Sequence, residues 1–280
     1  MKKYLRNYWP IFVLPTFLAF AVFFVAPFVM GLYLSLTEFT TISNTTFVGI
    51  NNYIRAFQDD SFVHSFLYTL AFAIVTVVLV NVVGFAIALA LTGNIPGRNG
   101  FRTVFFLPNL IGGIVLGYVW QIILNGILAY YQTTLNLDER LGFIGLVIVV
   151  CWQQIGYMMI IYVAGLQAVS NDVLEAATID GANYWQKLTK VIIPTVMPSI
   201  TIATFLTLSN SFKLFDQNLS LTAGEPGGMS EMLALNIYST FYGRVGWEGV
   251  GQAKAVIFTV VVTAISLLQL RATSSKEVQQ

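Results

Sequence analysis

Charge is what this sequence has least of. Charged residues make up 10% of its 280 positions and hydrophobic residues 56%. A soluble globular chain carries about 25% charged residues, so this one cannot clothe a water-facing surface. The mean hydropathy of +0.74 points the same way, toward a lipid bilayer. Histidine and cysteine are nearly missing, with His64 and Cys151 the single examples. One cysteine excludes an internal disulfide, and Cys151 sits in an apolar run as a small packing residue. No histidine or cysteine cluster and no intramembrane carboxylate pair exists in the sequence, so neither a catalytic residue nor a metal site is expected. His64 falls at the outer end of a long apolar run, where an interfacial role outweighs catalysis. A net charge of +1 without a basic cluster leaves nothing for nucleic acid. The phosphate-cradling pattern G-x-x-x-x-G-K-[ST] is also absent from the sequence, so the chain is not expected to hydrolyse ATP or act as an enzyme.

What fills the sequence instead is apolar runs. A helix needs about 20 apolar residues to cross the hydrocarbon core, and six segments qualify, at 11–36, 65–92, 103–128, 141–165, 199–221 and 253–271. Backbone groups cannot stay unpaired in lipid, so these runs predict helices. The expectation is an all-α membrane protein with six transmembrane helices in a single transmembrane domain covering 1–280. The first run is too long for a cleavable leader and reads as an uncleaved span. Lys2, Lys3, Arg6, Arg98, Arg102, Lys187, Lys190, Arg271 and Lys276 share one side, and Arg55, Arg140, Arg244 and Lys254 the other. The excess of basic residues marks the cytoplasmic side, which puts both termini and the segment 166–198 inside.

That cytoplasmic segment contains DVLEAATIDGANYWQKLTKVIIPTVMPSI. Asp172 with Glu175 three residues on matches an acidic capping box opening a helix. Ala176 and Ala177 leave little bulk, so another surface can approach closely. Gly181 stops the helix and permits a turn barred to larger residues. A second amphipathic piece starts near Asn183, with Tyr184, Leu188 and Val191 on one side. Pro194 and Pro198 end it and re-aim the chain into the membrane.

Glu175-Ala176-Ala177, then Asp180-Gly181, then Ile192-Ile193-Pro194 resembles the EAA motif of ABC importer permeases. The stretches NNYIRAFQDDSFVHSFLYTL, FRTVFFLPNLIGGIVLGYVWQII and FKLFDQNLSLTAGEPGGMSEMLALNIYSTFY are similar to the carbohydrate-type permeases related to the maltose importer. Glu225 stands where that family has a glycine, and Lys254 is an unexpected charge at the start of the last span. The resemblance implies a coupling helix in the loop 166–198, with Glu175, Ala176, Ala177, Asp180, Gly181 and Pro194 serving the ATPase contact. It implies cytoplasmic ATP-binding subunits that hold the ATP and Mg, with no cofactor in this chain. It further implies an extracytoplasmic solute-binding protein, a second permease in a heterodimer, a carbohydrate substrate, and residence in a bacterial or archaeal plasma membrane.

Polar side chains inside a span are costly and face a cavity or a neighbouring helix. At about 100° per residue, Thr207, Asn210, Ser211, Leu214, Gln217 and Asn218 of the fifth run fall on one face, and Lys213 and Asp216 point away from it. In the fourth run Gln153 and Tyr157 are i and i+4 neighbours. Amides, hydroxyls and aromatic rings suit a neutral sugar, so Gln153, Tyr157, Thr207, Asn210, Ser211 and Gln217 are the candidate substrate contacts. The same residues also serve as interhelical hydrogen-bonding groups, and both roles stay open. An ion-coupled secondary transporter of a small polar solute is the alternative. It would call for buried acids or broken helices, and Asp216 alone is available for it.

Overall fold

A computed structural model describes residues 2–41, 44–93 and 95–274; Lys276 lies outside them. In chain order the helices are α1 (Lys2–Phe20), α2 (Ala26–Leu34), α3 (Asn51–Gln58), α4 (Asp60–Thr92), α5 (Arg98–Phe106), α6 (Gly113–Leu128) and α7 (Glu139–Gln167). There follow α8 (Asn171–Ile179), α9 (Tyr184–Lys187), α10 (Ile193–Thr195), α11 (Met197–Phe212), α12 (Asp216–Leu221), α13 (Leu233–Gly243) and α14 (Glu248–Ser274). Five described helices are long and apolar enough to cross a membrane, and Tyr184–Thr195 with Met197–Phe212 makes a sixth if that bent pair is one span. The fold class is therefore the expected all-α membrane protein.

The chain divides into two units, residues 1–60 with 237–260 and residues 61–236 with 261–280. The first unit also holds the only described strands, β1 (Thr37–Thr41) and β2 (Asn44–Phe47), an antiparallel pair with Thr37 opposite Phe47. Asn52 fixes the hairpin by donating from Nδ2 to the Ser35 and Thr37 carbonyls at 3.0 and 2.8 Å. Between α1 and α2 the helix widens into a π turn at Ala21–Val25. Pro27 follows directly, and its ring crowds the carbonyl four residues back, which the wider turn relieves. The span Ile11–Leu34 buries none of its residues within the chain, as a lipid-facing helix requires.

The same unit encloses a charge cluster. Lys254 is fully buried, with Nζ 2.7 Å from Asp59 Oδ2 and 2.7 Å from Thr240 Oγ1. Arg244 reaches the same Asp59 oxygen at 3.0 Å, and the guanidiniums of Arg55 and Arg244 lie over the Trp247 ring. The charge that looked out of place in the sequence is thus neutralised by the carboxylate just before α4.

In the second unit two apolar clusters form the core. One gathers Phe72, Leu146, Val149 and Leu221, and the other Val80, Met158, Met159, Tyr162 and Ala203. Two runs expected as continuous helices are interrupted here. The run 103–128 is α5, a 3₁₀ turn at Leu107–Leu110, and then α6 from Gly113. Pro108 and the pair Gly112-Gly113 supply the break. The run 199–221 ends as α11 at Phe212 and restarts as α12 at Asp216.

The short α12 lies along α6 because Gly113 and Gly117, four apart, let the backbones close in. A Cβ on Gly113 would crowd Asp216 and Gln217, and one on Gly117 would collide with Ser220. This is small-xxx-small packing as used between membrane helices. Gly117→Leu should prise α12 off α6, an overpacking cost of about 1–3 kcal/mol or more. The expected readout is a fall of roughly 5–10 °C in the unfolding midpoint in detergent; an unchanged midpoint would refute the close approach.

Candidate functional site

The break between α11 and α12 opens a polar cavity. Lys213 N still bonds the Ser209 carbonyl at 3.2 Å, and the next helical bond runs from Leu219 N to the Phe215 carbonyl at 2.8 Å. Irregular backbone at membrane depth is tolerated where it lines a cavity. This one has a volume of about 320 Å³ and is lined from the break by Lys213, Leu214 and Phe215. Asn210 enters from the end of α11, Asp216 and Gln217 from the start of α12, Gln153 and Gln154 from α7, and Asn109 from the 3₁₀ turn.

Its amides are partly ordered already. Gln217 Nε2 donates to Gln153 Oε1 at 2.7 Å, and Gln153 Nε2 donates to the Ile111 carbonyl at 3.1 Å. That chain ties α12, α7 and the turn before α6 into one wall. Gln154 is buried, and its Oε1 has no hydrogen-bond partner. Lys213 and Asp216 are both exposed and bring one charge of each sign.

Of the six side chains expected from the sequence, Gln153, Asn210 and Gln217 line this cavity and three do not. Thr207 and Ser211 are fully buried. Ser211 Oγ shares a hydrogen bond with Thr76 Oγ1 at 2.8 Å, and Thr207 Oγ1 accepts from Asn81 Nδ2 at 3.4 Å. In this structure both fasten α11 to α4. Tyr157 is half-buried against the cluster around Met158 and Tyr162. Asn218 is buried as well, donating to the Ser230 carbonyl and accepting from Met232 N, both at 2.8 Å. Lys213 and Asp216, which a continuous helix turns away, are instead on the cavity wall. Asn109 and Gln154 carry no periodic signal of their own; they enter because neighbouring elements converge on them.

The loop 166–198 has a second defined geometry. Ser170, not Asp172, is the N-cap of α8, its side chain accepting from Asp172 N at 3.2 Å. A hydroxyl one residue before the helix can reach the second free amide, which Asp172, already inside the first turn, cannot. A reciprocal capping box does occur, at Asn183 with Gln186 in α9. Gly181 has φ +77°, Ala182 N bonds the Ala177 carbonyl and Gly181 N the Thr178 carbonyl. That is a Schellman closure of α8. Glu175, Ala176 and Asp180 are exposed, Ala177 is half-buried, and Ile179 is 86% exposed. Pro194 follows a π turn at Leu188–Ile192, repeating the arrangement at Pro27. The helix then bends by 70° into α11.

Residues 83–274 match the family described as binding-protein-dependent transport system inner membrane component. The chain is 41% identical over 288 residues to the probable starch degradation products transport system permease protein AmyD of Thermoanaerobacterium thermosulfurigenes, covering 99% of this chain and 98% of that one. It is 28% identical to the trehalose/maltose transport system permease protein MalF of Thermococcus litoralis, covering 92% and 91%. Among solved structures, a bacterial ABC transporter involved in import of the acidic polysaccharide alginate shares the fold, with TM-score 0.82 and 18% identity over 98% of both chains. Fold, coverage and identity agree, and the chain belongs to the binding-protein-dependent transport system inner membrane components, the permease subunits of ABC importers.

Proposed function

We propose that this permease passes a neutral sugar or oligosaccharide through the cavity at the α11–α12 break, driven by a separate ATPase that grips the loop 166–198. The observation that carries the reading is the amide-rich cavity made where a membrane helix is interrupted. Gln153, Gln154, Asn210 and Gln217 offer donors and acceptors for hydroxyl groups, and Phe215 offers an apolar ring. One lysine and one aspartate leave the lining formally neutral, which favours an uncharged substrate. The sugars named for the similar permeases point to the same class.

The ATPase contact in this reading is Glu175, Ala176, Ala177, Asp180 and Gly181, with Pro194 at the base of the lever. An exposed short helix, closed by a glycine and joined through a 70° bend to the cavity-forming α11, suits the transmission of a push. An extracytoplasmic binding protein would deliver the sugar, and a second permease would complete the path in a heterodimer. ATP and Mg belong to the ATPase, so this chain needs no cofactor. The cell membrane of a bacterium or archaeon is the expected setting.

Asn210→Ala and Gln154→Leu test the cavity. Each removes one hydrogen-bonding group, worth about 1–2 kcal/mol, so half-saturation for sugar should rise roughly 5–30-fold in proteoliposomes. Ser211→Ala should leave half-saturation unchanged and lower stability instead. Identical sugar dependence in all three variants would rule the cavity out as the route.

A further inference from the structure

The loop 166–198 is split by charge. Asp172, Glu175 and Asp180 lie in or directly after α8, and no lysine or arginine accompanies them. Lys187 and Lys190 lie in the segment from α9 onward, with no acid before Asp216. The apolar exposure is divided as well. In the second segment it is aromatic, with Tyr184 61% and Trp185 69% exposed and their rings edge to face at 5.6 Å.

The bend sets the attitude of that second segment. The helix Tyr184–Thr195 turns by 70° into Met197–Phe212. The segment Tyr184–Thr195 therefore does not continue the direction of α11 but runs steeply across it. Leu188 is buried toward the protein, while Trp185, Thr189 and Lys190 are exposed. Tyrosine and tryptophan are enriched at headgroup depth, and lysines beside them are drawn to the anionic inner leaflet. Lys187 also leans back toward α8, its Nζ 3.4 Å from Thr178 Oγ1, so Lys190 is the freer cation.

We propose that Trp185 and Lys190 rest on anionic phospholipid headgroups of the inner leaflet, while Tyr184 and Lys187 face the groove they share with Glu175 of α8, the side given to the ATPase. The loop is then a lever with one arm on lipid and one on protein. Each lysine at such a surface contributes about fivefold to the attraction, and each carboxylate of α8 is repelled by the same potential. The inference rests on the cytoplasmic placement of the loop and extends the coupling reading.

The test uses the assembled transporter with cysteine-free partner subunits. Because Cys151 is the only cysteine, Cys151→Ser gives a background for one nitroxide at Thr189→Cys or at Ile179→Cys. Relaxation by oxygen, which partitions into lipid, is compared with relaxation by a water-soluble nickel chelate. The nanodiscs contain phosphatidylcholine alone or mixed with phosphatidylglycerol. The label at 189 should favour oxygen in the anionic discs and shift several-fold toward the chelate in neutral discs or with Lys190→Glu. Equal chelate access at 189 and 179 in anionic discs holding the permease pair without the ATPase would overturn the proposal, and so would shielding at 189 that appears only when the ATPase is bound. The ATPase should shield 179 alone. Should 179 stay open while 189 remains in the headgroups, the lipid contact stands and the coupling reading falls.

Discussion

Gly181→Asp and Glu175→Lys are expected to abolish sugar uptake while the protein still reaches the membrane and keeps its fold. A Cβ added at Gly181 meets nothing within 4 Å in this chain. The φ of +77° there is one that aspartate visits more readily than most residues. The substitution therefore adds bulk and charge to an exposed surface, the proposed docking site, rather than to a core. Glu175 is exposed and takes no part in capping α8, so its reversal changes a surface charge that, in the proposed reading, faces the ATPase. Charge reversal at a contact of this kind costs about 2–5 kcal/mol, a loss of roughly 30-fold or more in coupling. Uptake is measured in cells alongside membrane levels of the chain and co-purification of the ATPase. Normal uptake with the ATPase still bound would remove the loop from the coupling path.

The second large effect is on stability. Asp59→Ala should strip the carboxylate from Lys254, whose side chain has no solvent access. Breaking a buried pair from one side costs about 3–5 kcal/mol. Lys254→Ala should cost less, because Arg244, 3.0 Å away, stays with Asp59. The double variant Asp59→Leu/Lys254→Met should recover most of the loss, since it removes both charges and fills their volume. Thermal unfolding in detergent gives the order directly. Equal losses for the two alanine variants would contradict the shared role of Arg244.

Much of this architecture can be read from residue order. Long apolar runs mark the spans, Gly181 marks the end of α8, and Pro27 and Pro194 mark the two widened turns. The threonine-rich stretches TEFTT and NTTF suit the paired strands β1 and β2. The break at 213–215 is different. Ser211-Phe212-Lys213-Leu214-Phe215-Asp216 contains no proline or glycine, so no local preference announces it. It is set by tertiary contacts: α12 seats on Gly113 and Gly117, and Gln217 is held by Gln153. A continuous rotation through that point puts Thr207 and Ser211 on the cavity face, whereas the structure packs them on α4. The same discontinuity brings Lys213 and Asp216 to the cavity wall.

The most direct measurement of the central claim is sugar uptake into proteoliposomes, with and without the ATPase subunits. The permease pair is reconstituted with sugar-loaded binding protein outside and ATP inside. The account predicts uptake that requires both the ATPase and ATP, with ATP hydrolysis stimulated by the loaded binding protein and lost in Gly181→Asp. Uptake driven by a proton or sodium gradient in vesicles holding no ATPase would contradict it.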